Sequence, residues 1–516
     1  MSAQEPAWAT GPNATTRRAA FATSVAQHGL ALSAAEAESV YQLAAWISES
    51  IERLPDAEPV SSASDVLDVS FIEQGRRMRE GRLTSIALVE AHLERIARRD
   101  PSYRAFYTVD AAGALAAAAR ADAELASGQD RGPLHGIAIG IKDLIDVAGL
   151  PTTADAPGRA SAIADNNAAV VDRLVAGGAI ILGKLATYEW GTVGPDNGGL
   201  FPPARNPWSL EHITGGSSSG GGAAVAGGLL RTTIGTDTGG SLRGPAFYCG
   251  VVGLKPTFGS VPTGGVLAMA PSMDHIGPMS ATVAEAAVTL DVIAGLAGAT
   301  SATRLLGQPI AGRRIGYARN WFAQDSQTMP AVLAAMDAAL STLSELGAAI
   351  AEVELPDYDV IEVAAAAILH RESFEYHAAD LRERPEAYGR RAFLSLATGL
   401  AITDAELAAA RRAGERFHAA IDLVLERCDA IVTVGALTTA LPAAPFETEA
   451  VWTPMRTIGF NVSGHPVLAV PIGFHAGLPI GMQIVGRQHD EAGIVQLGDA
   501  FEHATDHAIQ RPRAVG

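Results

Sequence analysis

Two serine clusters enclosed by glycine, within residues 215–222 and 235–243, constrain the fold of this chain more than any other feature. Glycine allows the backbone to turn sharply and to approach a bound group closely. Consecutive N–H groups in such a turn can converge on a developing negative charge. The residues between the clusters would fill one helix and one strand, and they include apolar side chains such as Val225 and Ile234, which a flexible Gly/Ser linker lacks. The sequence therefore predicts two structured turns that face one pocket, an arrangement suited to acyl transfer.

Lysine is almost absent from the chain. Of the 38 lysine and arginine residues, the lysines are Lys142, Lys184 and Lys255. A buried lysine can lose its proton near neutral pH, whereas arginine in practice cannot. Each lysine is therefore a candidate base. A general preference for arginine explains the low number equally well, and it does not distinguish among the three.

Composition narrows the class of protein. The net charge of −18 and the pI of about 5.2 argue against nucleic acid and anionic membrane surfaces as partners. No uncharged apolar run reaches the roughly 18 residues of a membrane-spanning helix. The cysteines, Cys249 and Cys428, make neither a disulfide framework nor a zinc spacing. We expect a cytoplasmic protein without a metal or cofactor; export remains an alternative because Arg17 and Arg18 resemble a twin-arginine signal, although Gln27 interrupts the apolar stretch that would follow.

The first part of the chain is predicted to be separate from the rest. A capping box at Ser33 and Glu36 precedes apolar residues at helical spacing, which predicts a helix over 34–54. Proline and serine then interrupt the pattern. We therefore expect a helical extension with a linker over 1–62 and a catalytic domain over 63–516. The apolar stripe of the helix would pack against that domain or form a dimer contact.

The remaining chain alternates between helical and strand patterns, which predicts an α/β fold. Thr84 is expected to cap one helix, and an alanine-rich segment predicts another over 110–127. A strand buried on both faces is predicted over 136–142, ending at Lys142. Further alternation is expected in these segments: 169–182, 281–297, 314–318, 330–354, 404–433, 467–472, 480–485 and 491–504.

Residues 216–220 also satisfy the G-x-S-x-G pattern of the α/β-hydrolase nucleophile elbow, with Ser218 as nucleophile. That fold requires a strand directly before the elbow, whereas residues 206–215 have the composition of a loop. Histidines that could complete such a triad follow at His465, His475 and His489. Composition therefore leaves this alternative open, although its required context is missing.

Several longer segments resemble the amidase signature family. The resemblance is carried by residues 136–143, 183–189, 215–221, 235–243, 249–257, 272–278, 461–466 and 478–483. It extends from about residue 65 to about residue 505. It implies an amidase-signature fold, in which a central mixed β-sheet is covered on both faces by helices.

The resemblance also implies a Ser–Ser–Lys triad. The nucleophile would be Ser241, the bridging serine Ser217 and the base Lys142. A separation of 24 residues between the two serines agrees with the family and selects Ser217 over its neighbours. A lysine made neutral by burial would accept a proton relayed through Ser217.

The resemblance also implies an oxyanion site, and the residue types near it indicate supporting roles. The oxyanion would lie among backbone N–H groups of the nucleophile loop, those of Thr238, Gly239, Gly240 and Ser241. Three residues are expected to support the site: Ser218 by hydrogen bonding, and Asp237 and Arg243 by pairing to hold the loop. Lys184, Lys255, Asp143 and Asp274 are expected to be structural, and Cys249 to be a core residue.

The expected function is hydrolysis of a small carboxylic acid amide by a stand-alone enzyme, for which a homodimer is expected. The alternative is the glutamine-hydrolysing A subunit of a tRNA-dependent amidotransferase, from the same family. The N-terminal extension and the lack of tyrosine in 400–412 argue against that alternative, and the intact triad argues against a non-catalytic binding protein. Residues 432–436 depart from the family pattern. The substrate is not specified; the aromatic candidates for its pocket are Tyr188, Trp190, Phe201, Trp452 and Phe460.

Overall fold

The computed structural model describes residues 66–512 together with the single residue Ser33. The predicted helix over 34–54 and the extension over 1–62 lie outside the described residues. The boundary between that extension and the catalytic domain therefore stays a prediction.

The described part of the chain contains eleven strands and fourteen α-helices. The strands are β1 (Phe106–Val109), β2 (Ala138–Lys142), β3 (Ile180–Leu185), β4 (Thr232–Asp237), β5 (Val252–Lys255), β6 (His275–Ser280), β7 (Arg314–Tyr317), β8 (Ala349–Glu352), β9 (Ala430–Val434), β10 (Val467–His475) and β11 (Leu478–Val485). The helices are α1 (Phe71–Arg79), α2 (Ser85–Tyr103), α3 (Ala111–Ala126), α4 (Ala169–Ala176), α5 (Ser219–Ala226), α6 (Arg243–Cys249), α7 (Val283–Ala294), α8 (Pro330–Glu345), α9 (Tyr358–Glu383), α10 (Arg390–Ala397), α11 (Asp404–Arg427), α12 (Pro445–Thr448), α13 (Gly459–Val462) and α14 (Glu491–Ala504).

All eleven strands belong to one sheet, in the order β1-β3-β2-β4-β6-β5-β10-β11-β9-β7-β8. Neighbours are parallel in two places: β2 pairs in parallel with β3 and β4, and β7 with β8 and β9. The other neighbours are antiparallel. The prediction of a mixed α/β sheet flanked by helices is confirmed.

The parallel pairing of β2 with β4 determines where the glycine-rich turns lie. Gly140 and Ile141 of β2 are in register with Thr233 and Ile234 of β4. Because parallel strands end at the same edge of a sheet, Lys142 at the end of β2 lies beside the end of β4. Both strands are buried along their whole length, as the continuous apolar pattern of residues 136–142 predicts.

Several helix boundaries predicted from the sequence agree closely with those in the structure. The Thr84 side chain accepts the N–H of Ala87 at the start of α2, as predicted for a cap. The last helix occupies the predicted residues, Glu491–Ala504. In contrast, no helix is predicted over α9, which is 26 residues long. Apolar residues of α9 lie on its exposed side as well as its buried side, Val360 and Val363 among them, so its periodicity is weak.

Within residues 66–512, no single helix is both long and apolar enough to cross a membrane. One sharply bent pair of segments, Arg390–Ala401 with Asp404–Arg427, passes the same test of length and composition only when the two are taken together.

Candidate active site

All three lysines of the chain are buried, and one of them contacts the serine clusters. Lys142 Nζ lies 2.7 Å from Ser217 Oγ and 2.8 Å from Thr236 Oγ1. Burial lowers the pKa of Lys142 to about 7, against the opposing charges of Asp237 and Asp274. This amine can therefore exchange a proton near neutral pH with the hydroxyl that it touches.

The other two lysines are bound elsewhere. Lys184 Nζ forms an ion pair with Asp143 Oδ1 at 2.9 Å. Lys255 Nζ donates to the carbonyl oxygens of His465 and Pro256, at 2.6 and 3.1 Å. Burial lowers the pKa of both lysines, but neither has a hydrogen bond to a serine within residues 66–512.

The turn that carries the first serine cluster is packed against an aromatic ring. A Cβ atom on Gly216 would lie 2.1 Å from Tyr188, so no larger residue fits there. The peptide bond between Gly216 and Ser217 is cis. Ser217 follows it, is buried and has its hydroxyl on Lys142.

Ser218 has a different environment from Ser217. Its Oγ donates to the Thr236 carbonyl oxygen at 3.1 Å, and its N–H donates to the Ser241 carbonyl oxygen at 3.2 Å. The residues before it, 206–216, form turns and isolated bridges without a strand. The α/β-hydrolase alternative, which requires that strand and a Ser218 nucleophile, is therefore wrong. Ser218 joins the first cluster to β4 and to the loop of Ser241.

Ser241 lies in the loop between β4 and α6, which a buried ion pair holds in place. Asp237 and Arg243 are joined by two contacts of 3.0 Å, and both side chains are fully buried. Burial alone would raise the pKa of Asp237, but the guanidinium of Arg243 and the amide of Asn461 hold it well below its usual range. The predicted pairing of Asp237 with Arg243 is present, and it spans the turn that carries Ser241.

The Asp237 carboxylate also accepts a hydrogen bond from one of the N–H groups that were predicted to bind the oxyanion. The Gly240 N–H donates to Asp237 Oδ1 at 2.7 Å, which corrects the prediction that this amide faces a substrate. The N–H groups of Thr238, Gly239 and Ser241 have no acceptor among the described residues. These three amides are free to bind a negative charge in the loop.

Residues from the C-terminal part of the chain complete the support of this loop. Arg243 Nη2 donates to Asn461 Oδ1 at 2.6 Å, and Asn461 Nδ2 donates to Asp237 Oδ1 at 2.7 Å. Thr457 Oγ1 donates to the Gly239 carbonyl oxygen at 2.6 Å. Roles for Thr236, Thr457 and Asn461 are not predicted from the sequence, although Asn461 begins one of the segments that resemble the family.

Asp143 and Asp274 also hold local structure. Asp143 Oδ2 accepts the N–H of Thr153 at 2.9 Å, in addition to its ion pair with Lys184. Asp274 Oδ1 accepts from Thr238 Oγ1 at 2.6 Å, and burial raises the pKa of Asp274 to about 6. Within residues 66–512, no group of three or more histidine, cysteine, aspartate or glutamate side chains could hold a metal ion.

A cavity that is partly open to solvent contains both Ser217 and Ser241 in its wall. Ser241 is half-buried, and Lys142 reaches Ser217 from the protein interior. The wall is made by Tyr188, Gly191, Thr192, Val193, Gly194, Pro195, Gly216, Ser217, Gly239, Gly240, Ser241, Met269, Tyr358, Glu362, Ala366, Leu369, His370, Arg391, Ser395, Phe446, Ala450, Val451, Trp452, Thr453, Met455, Thr457 and Ile458.

Two of the five aromatic candidates, Tyr188 and Trp452, line this cavity. The other three pack elsewhere: Trp190 against His377 and Tyr388, Phe201 against Tyr107, and Phe460 against Trp321 and Phe417. The unusual segment 432–436 does not line the cavity; its first residues belong to β9.

Comparison with known proteins gives consistent matches over most of the chain. A family model described as Amidase matches residues 87–495. The A subunit of a glutamyl-tRNA(Gln) amidotransferase from Roseiflexus sp. (strain RS-1) is 37% identical over 470 residues, which are 84% of this chain and 95% of that protein.

Solved structures match over a similar length. A chain of a vestigial protein complex, connected with the evolutionary origins of an s-triazine catabolic enzyme, is 29% identical with a TM-score of 0.78. The match covers 86% of this chain and 100% of that one. Native peptide amidase from Stenotrophomonas maltophilia is 29% identical with a TM-score of 0.75, and the match covers 89% of this chain and 100% of that one.

Proposed function

Since this chain belongs to the amidase signature family, we propose that it hydrolyses a carboxylic acid amide to an acid and an amine or ammonia, through an acyl-enzyme on Ser241. One observation carries the proposal. A buried lysine with a pKa of about 7 contacts Ser217, and Ser217 shares a cavity wall with Ser241. A hydroxyl, a relay and a base are the groups that acyl transfer needs.

The first step activates the nucleophile. Neutral Lys142 has one lone pair and two N–H bonds. One N–H donates to Thr236 Oγ1, so the lone pair can accept the hydroxyl proton of Ser217 across the 2.7 Å contact. Ser217 in turn accepts the proton of Ser241, and Ser241 Oγ attacks the amide carbon.

The second step breaks the C–N bond. The negative charge on the former carbonyl oxygen is bound by the N–H groups of Thr238, Gly239 and Ser241. The leaving nitrogen takes a proton from Ser217, which recovers one from the Lys142 ammonium. Water then attacks the ester on Ser241 by the same proton path, releases the acid and restores both serines.

Labelling with a fluorophosphonate, followed by peptide mass spectrometry, tests this assignment. We expect one adduct on Ser241, which is lost or greatly slowed in Lys142→Ala and Ser217→Ala. Ser219→Ala is the matched control, because Ser219 belongs to the same serine cluster and does not line the cavity. An adduct on another serine, or unchanged labelling of Lys142→Ala, would overturn the proposal.

A second candidate is the glutamine-hydrolysing A subunit of a tRNA-dependent amidotransferase. The relatives favour it over a stand-alone amidase: several proteins of that name are 36–37% identical over at least 84% of this chain. Their names describe subunits, and one structural relative comes from a complex, so a hetero-assembly has more support than the predicted homodimer.

Two measurements separate the candidates. The first is the set of proteins that co-purify with the tagged chain from its own cells. The second is ammonia release from L-glutamine compared with neutral aliphatic and aryl amides. Stable partner proteins together with a strong preference for glutamine would establish the amidotransferase role. Efficient hydrolysis of other amides by the isolated chain would establish the stand-alone enzyme.

A further inference from the structure

One face of α9 forms a wall of the active-site cavity. Tyr358, Glu362, Ala366, Leu369 and His370 line the cavity, and their spacing places them on one side of a helix. Glu362 is the acidic residue of this face. It follows Tyr358 by one helical turn.

The two other wall residues that could carry a positive charge, Arg391 and His370, each have a partner among the described residues. Arg391 donates to the carbonyl oxygens of Phe446 and Pro195, and it lies 3.6 Å from Asp196. His370 Nδ1 lies 3.0 Å from the Ser395 carbonyl oxygen, and burial lowers the pKa of His370, which keeps it neutral. Among the described wall residues, the positive charge of Arg391 is therefore partly balanced by the Asp196 carboxylate, and His370 adds none.

Glu362 differs from these groups, since it forms no ion pair within residues 66–512. Its carboxylate accepts the indole N–H of Trp452 at 3.2 Å. Burial raises its pKa; the indole and the charge of Arg456 oppose that shift, and the exposed Asp359 adds to it. Arg456 itself is paired with Asp325 and lies over the Tyr358 ring at 4.5 Å. A half-buried carboxylate without a counter-ion is stabilised when a cation approaches it.

The rest of the wall suits an apolar group. The cavity is also lined by the apolar side chains of Val193, Leu369, Phe446, Val451, Met455 and Ile458. A ligand complementary to this cavity has an apolar body that extends from the reacting carbonyl and a positive charge that reaches Glu362. The net charge of −18 also favours the approach of cations.

We propose that Glu362 is a specificity-determining residue that selects amides carrying a protonated amine, separated from the scissile bond by an apolar chain. This inference rests on the proposed function, since it assigns a substrate class to the same site. A charge-assisted hydrogen bond in a partly desolvated site is expected to increase binding affinity by about tenfold or more. The preference for ammonium-bearing amides over neutral ones should depend on the Glu362 carboxylate and not on the net charge of the protein.

The test uses matched neutral and cationic amides as competitors of fluorophosphonate labelling at Ser241. On the acyl side, 6-aminohexanamide is compared with heptanamide, which has a methyl group in place of the ammonium. On the amine side, N-(6-aminohexyl)acetamide is compared with N-heptylacetamide. Homologues shorter and longer by two carbons are included for each pair. Every competitor is measured with the unchanged protein, with Glu362→Gln and with Asp359→Asn.

Glu362→Gln removes the charge and preserves an acceptor for Trp452. Asp359→Asn removes one charge from an exposed position of the same helix. We expect the ammonium member of one pair to protect Ser241 at about tenfold lower concentration than its neutral partner. Glu362→Gln should abolish that preference and Asp359→Asn should keep it.

The outcomes distinguish this inference from the proposed function. Labelling of Ser241 without a preference for either ammonium compound, or a preference that survives in Glu362→Gln, overturns the role of Glu362 alone. Failure to label Ser241 in the unchanged protein overturns the proposed function, and the assignment of Glu362 falls with it.

Discussion

Thr236 Oγ1 accepts a hydrogen bond from Lys142 Nζ at 2.8 Å, although the two residues lie 94 positions apart in the chain. The contact exists because β2 and β4 are parallel neighbours that end at the same edge of the sheet. In the proposed mechanism this bond takes one N–H of the neutral Lys142 amine and leaves the lone pair for Ser217. Thr236 would thereby be a positioning residue for the proposed base.

Removal of this hydroxyl should impair catalysis more than folding. Thr236→Val keeps the shape and the β-branched side chain that a strand favours. Loss of one oriented hydrogen bond to the amine is expected to lower kcat/KM by about ten- to hundredfold. The comparison is with Thr233→Val, another buried threonine of β4, and it combines kcat/KM with the melting temperature. Equal effects of the two substitutions would contradict a positioning role.

The pKa of Lys142 predicts the pH dependence of the reaction. Burial lowers that pKa to about 7, so the amine is protonated and inactive below this pH and neutral above it. We expect kcat/KM to rise about tenfold per pH unit below 7 and to level off above it. The profile is measured from about pH 5 to 9, with circular dichroism to verify folding. A flat or descending profile would exclude Lys142 as the base.

The buried pair of Asp237 and Arg243 predicts a large effect on stability. Asp237→Asn would leave the guanidinium of Arg243 buried without its counter-charge, which costs about 3–5 kcal/mol in comparable pairs. We expect a clearly lower melting temperature and less soluble protein. Glu383→Gln breaks an exposed pair with Arg382 and should have little effect. Similar melting temperatures for both variants would show that the pair does not stabilise the loop.

Substitution of Gly240 by alanine is predicted to reduce activity without unfolding the protein. Its φ of +125° is unfavourable for other residues, and a Cβ atom would lie 2.3 Å from Thr457 Oγ1. Gly240→Ala should therefore displace the loop and slow the labelling of Ser241. The control is Gly264→Ala, where a Cβ atom meets nothing within 4 Å. Labelling at the normal rate in Gly240→Ala would mean that the loop tolerates the change.

Local sequence patterns were sufficient for much of the architecture. The cap at Thr84 and the buried strand that ends at Lys142 depend on neighbouring residues alone, and both could be predicted from the chain. The scarcity of lysine made each of the three lysines a candidate base, and all three are buried. Composition could not choose among them, because the choice depends on which lysine lies beside a serine 75 positions away.

The cavity wall shows the limit of such patterns. The helix α9 was not predicted, because its apolar residues occur on both its buried and its exposed sides. Two expected aromatic residues line the cavity and the other three pack elsewhere, since a side chain's neighbours cannot be inferred from its type.

The sequence by itself determined the α/β class and the two glycine-rich turns, since these follow from side-chain periodicity and from backbone freedom at single residues. Only the tertiary structure decided that the Gly240 N–H binds Asp237, that Asn461 supports a loop 218 positions away and that Glu362 faces the cavity. The physical reason is the distance along the chain over which each interaction acts. Backbone preferences act within a few residues, whereas the partner of a hydrogen bond or a charge is chosen by how distant strands and helices pack.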